Sequence, residues 1–288
     1  MRRVLVLTAE AGVTADDVAA LRAAMASAGF APDAPRRLAP GAWEIGFDGP
    51  GDPRRIVSGP VDANVVPGTD RRKRLLIADM DSTIIGVECI DELADFAGVK
   101  PQVSAITEAA MRGELDFEAS LAARVALLAG LPATVLQDCY DARVSLNRGA
   151  RVTVRTMAAL GAETALVSGG FDFFTERVAA AAGFARHRAN RLVVAAGVVT
   201  GAVARPILGR AAKLAALEDL AALGGFEACD VLAVGDGAND LDMVRAAGLG
   251  VAYRAKPALA AAATARLDHS DLTALLALQG ISEAEWSD

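Results

Sequence analysis

Apolar residues along this chain gather into short continuous runs that stop at acidic, hydroxyl or glycine residues, with longer stretches of helical period between them. Leu75 to Ala78 stops at Asp79-Met-Asp81-Ser-Thr, Ala165 to Val167 at Ser168-Gly169-Gly170, and Val231 to Gly235 at Asp236-Gly-Ala-Asn239-Asp240. Runs of this length between turn residues predict strands that are continuous rather than alternating because both faces are covered. Helices are expected over 148–160, 172–182, 209–223, 239–247 and 256–265, strands over 163–168, 231–235 and 249–253, and a β-excursion over 191–203 turned at Gly197 and Gly201. Alternating strand and helix implies a parallel sheet with helices on both faces.

Two segments depart from that alternation. After the strand ending at Asp79 come four helical patterns, near 89–97, 102–111, 117–129 and 133–144, punctuated by Pro101, Gly113, Asp116, Gly130 and Pro132. An insertion of helices there, at about 87–146, would form a lid over the aspartates. Residues 1–70 read as a separate unit, with strands at Val4 to Leu7 and Ala42 to Phe47 and a helix from Ala15 to Ala28 closed by Gly29. Arg71-Arg-Lys-Arg reads as linker, which leaves 71–288 as the second domain.

Composition narrows the partners. The 288 residues are 53% hydrophobic with a net charge of −7, enough apolar mass for a large core and the wrong sign for nucleic acid or an anionic membrane as main partner. Cys89, Cys139 and Cys229 are too far apart for a paired metal or redox motif. Glu10 interrupts the first apolar run too early for a leader peptide, and the longest uncharged apolar run, Leu192 to Ala204, is shorter than the ~20 residues of a membrane helix. The expectation is a soluble, cytoplasmic protein.

Asp79 and Asp81 at the end of a buried strand are costly unless a cation, a proton or hydrogen bonds compensate them, although a strand-end turn accounts for such residues equally. In open parallel α/β sheets ligands sit beyond the carboxyl ends of the strands, so the three strand ends would converge. Lys213 interrupts the apolar first half of a helical stretch, Ala211 to Leu223. A hydroxyl, a lysine and several carboxylates meeting at one point suit a phosphoryl group held with a divalent metal. His187 and His269 stand alone and are not expected to take part.

Asp79-Met-Asp-Ser-Thr, Ser168-Gly-Gly, Lys213 and Gly235-Asp-Gly-Ala-Asn-Asp resemble, in order, the four motifs of the haloacid dehalogenase-like hydrolases. Glu88-Cys-Ile-Asp-Glu-Leu-Ala, Met111-Arg-Gly-Glu-Leu-Asp-Phe117 and Ser120 to Arg124 are similar to the cap of the phosphoserine phosphatases among them, and the resemblance covers roughly 70–280. It implies an α/β fold with a Rossmann-like parallel core, a helical cap inserted after the first core strand and a small N-terminal α+β domain similar to the ACT fold. The N-terminal pattern equally fits a dimerisation or packing module, which leaves a homodimer open.

The activity implied is Mg²⁺-dependent hydrolysis of phosphoserine, a small-molecule substrate, in serine biosynthesis. Asp79 would be the nucleophile and Asp81 the general acid and base, with Ser168, Gly169, Gly170, Lys213 and Asn239 around the phosphoryl group. Asp79, the Asp81 main-chain carbonyl and Asp236 would hold the metal. Glu88 would meet the substrate ammonium and Arg124 its carboxylate, with Met111 and Phe117 as apolar lid residues. The same motifs fit a phosphotransferase passing the group to an acceptor such as homoserine, or a phosphatase acting on phosphohomoserine. A receiver-like signalling module shares the paired aspartates, but the helical insertion and the second acidic cluster count against it.

Overall fold

The computed structural model describes residues 2–111 and 114–288, without the side chain of Met111. The first unit runs β1 (Arg3–Thr8), α1 (Ala15–Ser27), β2 (Ala31–Pro32), β3 (Arg36–Ala39), β4 (Ala42–Asp48) and β5 (Asp62–Pro67). It forms an antiparallel sheet of order β2-β4-β1-β5, with β3 also on β4. The all-apolar face of β1 has a reason in its two sides. Leu5 and Leu7 pack with Val18 and Met25 under α1. Val4 and Val6 point the other way, into a cluster that includes Leu275 and Leu276 of the second unit.

That second unit opens with β6 (Leu75–Ala78) and continues through α2 (Cys89–Phe96), α3 (Lys100–Met111), α4 (Phe117–Ala126), α5 (Thr134–Arg143) and α6 (Ala150–Ala159). Next come β7 (Glu163–Phe171), α7 (Asp172–Ala182), β8 (Arg186–Asn190), and a hairpin of β9 (Leu192–Ala195) and β10 (Val198–Val203). It ends with α8 (Arg210–Gly224), β11 (Val231–Gly235), α9 (Leu241–Ala246), β12 (Leu249–Tyr253), α10 (Pro257–Ala260), β13 (Ala265–Leu267) and α11 (Ala274–Leu278). The six core strands are parallel in the order β13-β12-β11-β6-β7-β8, the expected α/β architecture. The chain winds one way from β6 through β7 to β8, then returns to β11 and winds the other way. The switch point lies between β6 and β11.

Register delivers the three motifs to one place. Ala78 lies beside Leu166 of β7 and Val234 of β11, so Asp79, Ser168 and Asp236 all fall just past the same edge of the sheet. The cap helices α2 to α5 leave and re-enter through two segments that bridge at Ile85 and Leu146. Asn147 fastens the return, its backbone N–H donating to the Ile84 carbonyl at 2.8 Å and its Nδ2 to the Thr83 carbonyl at 2.8 Å. The β9–β10 hairpin attaches to the cap side, where Gly130 N–H donates to the Val199 carbonyl and Ala133 N–H to the Gly197 carbonyl, both at 2.8 Å.

Several local expectations change. Gly197, preceded by Ala196 at φ 49°, turns the hairpin with φ 75°, as a two-residue left-handed turn requires. Gly201 is no turn: it lies within β10 at φ 82°, where an added Cβ would stand 2.8 Å from Ala129 Cβ on the cap side. The helix expected over 256–265 stops at Ala260 because the chain must re-enter the sheet as β13. Strand β8 escapes the apolar pattern because it is an edge whose Arg186, His187 and Arg188 are exposed, a common guard on unpaired edges. Among the described residues no helix is long and apolar enough to cross a membrane.

The two units are sealed by side chains acting on backbone. Asn64 donates from Nδ2 to the Arg266 carbonyl at 2.9 Å and accepts from Arg266 N–H at 2.8 Å, imitating a strand beside β13. Buried Asp62 accepts from Asp268 N–H (2.8 Å), His269 N–H (3.0 Å) and the Ser270 hydroxyl (2.6 Å). Removing one partner strands buried donors, so Asp62→Ala should cost about 3 kcal/mol. Thermal denaturation should show a fall of several degrees. An unchanged melting temperature would mean that water replaces the carboxylate freely.

Candidate active site

The strand carrying Asp79 ends in a tight turn, Met80–Ile84, whose backbone is helical at neither Asp81 (φ −65°, ψ 137°) nor Ser82 (φ 56°). Ser82 is a non-glycine residue in the left-handed region, a conformation that persists where surrounding structure imposes it. The turn aims Asp79 and Asp81 into a cleft of about 170 Å³ lined also by Glu88, Phe117, Arg124, Ser168, Gly169, Gly170, Asp236 and Asn239. Lys213 lies behind the Asp79 carboxylate. Of the residues expected from the sequence, only the Met111 side chain falls outside the described structure.

Lys213 is 1% exposed, with Nζ 2.7 Å from Asp79 Oδ1 and 2.6 Å from Asp240 Oδ1. Burial alone would lower its pKa; the two carboxylates reverse that and raise it. Asp79 Oδ1 also accepts from Met80 N–H at 2.7 Å, while Oδ2 carries a long contact of 3.4 Å from Asn239 Nδ2. Asp240 completes the group by accepting from Asp236 and Gly237 N–H through Oδ2, at 3.2 and 3.1 Å. Gly235 has to lack a side chain here, because a Cβ would stand 2.4 Å from the Asp240 carboxylate.

On the opposite wall, Ser168 Oγ accepts from Gly170 N–H at 2.8 Å. A Cβ on Gly170 would come within 2.9 Å of Asp81 Oδ2 and 3.1 Å of Ser168 Oγ, so glycine here is a matter of close approach. Burial, then the nearby Glu88 charge, push Asp81 up to about 7, against a weaker opposing bond from Cys89. Burial and Asp240 raise Asp79 well above the ordinary carboxylate range despite Lys213. Burial, Asp240 and Glu88 raise Asp236 to about 6. Carboxylates outnumber the buried lysine, and Asp79, Asp81 and Asp236 respond with raised pKa values.

Glu88 Oε1 accepts from the Ser82 hydroxyl at 2.7 Å. Arg124 is half-buried on α4; its Nε makes a 3.3 Å bond to the Ser120 carbonyl, and it has no carboxylate at ion-pair distance among the described residues. Phe117 lies over the glycine pair, 3.2 Å from where a Gly169 Cβ would be. The sequence reading missed Lys256, which lines the cleft and whose N–H donates to the Asp236 carbonyl at 2.8 Å, and Thr83, whose hydroxyl donates to Asp236 Oδ1 at 3.4 Å. Lys256 follows the end of β12, a further strand end beside the crevice, and position alone could have flagged it. A larger cavity of about 480 Å³, between β1 and α6, lacks such convergence: its Arg148 already pairs with Glu10 and Asp271 at 3.3 and 3.2 Å.

A cation has a place here. Carboxylate oxygens of Asp79, Asp236 and Asp240 lie within 4.8 Å of one another, an all-oxygen set suited to a hard divalent ion. Asp240 is already bound by Lys213 and two amides, which leaves Asp79 and Asp236 as the carboxylates with capacity to spare.

The model of the haloacid dehalogenase-like hydrolase family matches residues 76–245. The chain is 48% identical over 215 residues to the phosphoserine phosphatase SerB2 of Mycobacterium tuberculosis, covering 75% of this chain and 52% of that protein. The chain thus spans about half the length of that relative. Its fold superposes on a probable phosphoserine phosphatase of Vibrio cholerae with a TM-score of 0.83 at 30% identity, over 98% of this chain and 88% of that one. A phosphoserine phosphatase solved as a phospho-aspartyl intermediate analogue matches at 40% identity and a TM-score of 0.66, over 71% of this chain and 98% of that one.

The raised pKa of Asp236 sets a test that needs no turnover. A carboxyl titrating near 6 in the folded chain and near 3.8 in the unfolded one leaves stability highest at low pH and lost as pH rises through that window. In chelator, Asp236→Asn should therefore melt above wild type by an amount that grows from pH 4.5 to 7, worth about 2–3 kcal/mol at the plateau. A divalent cation should cancel the advantage by stabilising wild type. A pH-independent difference would refute the electrostatic account.

Proposed function

The chain belongs to the haloacid dehalogenase-like hydrolases, and we propose that it hydrolyses O-phospho-L-serine to L-serine and phosphate through an aspartyl-phosphate on Asp79. The observation that carries this reading is one small cleft holding both a phosphoryl-transfer group and an amino-acid-sized pair of charges. Asp79, Lys213, Ser168 and Asp236 supply the first; Glu88 and Arg124, which has no ion-pair partner among the described residues, supply the second. A cleft of about 170 Å³ suits a small ester.

In this reading Asp79 attacks phosphorus in line while Asp81, titrating near 7, protonates the departing serine oxygen. Asp81 then takes a proton from the water that hydrolyses the aspartyl-phosphate. Lys213, the Ser168 hydroxyl and the Asn239 amide neutralise and orient the phosphoryl oxygens, with Gly169 and Gly170 allowing close approach. Asp79, Asp236 and the Asp81 carbonyl would hold Mg²⁺, which when bound supplies positive charge to the phosphoryl group. Arg124 would clamp the substrate carboxylate, Glu88 the ammonium, and Phe117 together with Met111 would exclude water. The protein would act in the cytoplasm in serine biosynthesis, with residues 1–70 as a regulatory or dimerisation domain joined to a phosphatase domain at 71–288.

Asp79→Asn should retain the fold and lose more than 99% of turnover, roughly the scale on which removal of a nucleophile operates. Released phosphate measures it, and a rate above about one per cent of wild type would remove the covalent step. Chelation should abolish activity and Mg²⁺ restore it; persistence after exhaustive chelation would exclude the metal.

Arg124→Ala separates substrate choice from chemistry. It should lower kcat/KM for phosphoserine by about 2–4 kcal/mol while an aryl phosphate, which has no carboxylate, loses far less. Arg124→Lys should recover part of the loss, because an ammonium lacks the planar fork. Equal losses on both substrates would assign Arg124 to the fold or the lid.

A further inference from the structure

No motif singles out Asn190, yet its side chain is among the most constrained near the site. It is the last residue of β8, and it is 2% exposed. Its Nδ2 donates to the Gly169 carbonyl at 2.8 Å and to the Leu208 carbonyl at 3.1 Å. Its Oδ1 accepts from Leu208 N–H at 2.6 Å. Both amide hydrogens and the oxygen are therefore used, and they join two backbone segments that no sheet ladder connects.

Those two segments are the ones the chemistry needs in register. Gly169 lies between Ser168 and Gly170 at the end of β7. Leu208 leads through Gly209, the residue preceding α8, to Lys213 one turn later, whose N–H donates to the Gly209 carbonyl at 3.2 Å. The cap's Phe117 lies over both segments at once: a Cβ would meet its ring at 3.2 Å from Gly169 and at 3.0 Å from Gly209. A buried amide that satisfies both backbone directions of Leu208 leaves that loop little freedom to shift.

We propose that Asn190 is a positioning residue for phosphoryl transfer. It fixes the spacing between the Ser168–Gly170 strand end and the start of the Lys213 helix, and so also the seat for Phe117. This rests on the phosphatase reading of the same cleft, but not on its amino-acid specificity, because what it aligns is the phosphoryl side.

The test compares wild type with Asn190→Asp and Asn190→Ala well below their melting temperatures. Asn190→Asp keeps the size and the bond from Leu208 N–H but turns a carboxylate oxygen toward two carbonyls. The expected result is a tenfold or greater loss of kcat/KM for phosphoserine and for an aryl phosphate alike. Inorganic phosphate, as inhibitor or as calorimetric ligand, should weaken by a similar factor. Unchanged turnover and phosphate affinity per folded molecule, with only a lowered melting temperature, would reduce Asn190 to a structural role and overturn the proposal. Loss confined to phosphoserine would overturn it too, by placing the effect on amino-acid recognition. If wild type hydrolysed neither ester, the phosphatase reading would fall while phosphate affinity in the variants would still decide the role of Asn190.

Discussion

The site is organised around a lysine buried away from solvent. Taking an ammonium and two carboxylates out of solvent costs several kcal/mol per ion unless their mutual geometry is good and their remaining lone pairs are satisfied. Both conditions are met by Lys213, Asp79 and Asp240, with contacts of 2.6 and 2.7 Å and amide donors on each carboxylate. The requirement propagates outward. Gly235 gives up its side chain to make room for Asp240, and α8 must begin one turn before Lys213. The group still carries one negative charge in excess before Asp81, Glu88 and Asp236 are counted, so protons or a cation must answer the rest. Raised carboxyl pKa values and an all-oxygen cation site are two faces of that single imbalance.

A second constraint is that a cleft this charged has to be closed without being filled. The cap is tied at a narrow neck, where Ile85 and Leu146 bridge and Asn147 bonds the turn that carries both aspartates. The neck and the turn that carries both aspartates are thus one hydrogen-bonded piece. On the far side the cap rests through Phe117 on glycine backbone, which lets an apolar ring approach where any side chain would hold it off. The ring sets a low-dielectric wall beside the cleft, where charge interactions are stronger than in water.

How much of this the sequence shows depends on the kind of interaction. The core strands were legible because burial on both faces leaves uninterrupted apolar runs, and their polar stops marked the ends that line the cleft. Lys213 was legible as a polar interruption of the apolar first half of a helix. What escaped depends on contacts between segments far apart in the chain. Strand β8 reads as a charged loop because its edge is guarded by arginines, and Asn190 is an ordinary turn residue until Gly169 and Leu208 are brought to it. Likewise β13 and α11 are too short for periodicity to register, and they exist because β12 and the N-terminal sheet offer surfaces to pair with. Propensity favours a longer helix after Lys256; the open edge of β12 outweighs it.

The N-terminal sheet is more than an appendage in this arrangement. From Asp62 the bonds run to Asp268, His269 and Ser270; Leu272 then accepts from the Thr153 hydroxyl at 2.8 Å and donates to the Arg148 carbonyl at 3.1 Å. Arg148 follows Asn147, which holds the Asp79–Ile84 turn. A continuous path of this kind shows support, and it becomes communication only where an element with two arrangements lies along it. That path ends at the return segment of the cap, where Asn147 bonds the Thr83 and Ile84 carbonyls. The sheet therefore buttresses, through Asp268–Leu272 and Arg148, the same neck that holds the turn carrying Asp79 and Asp81.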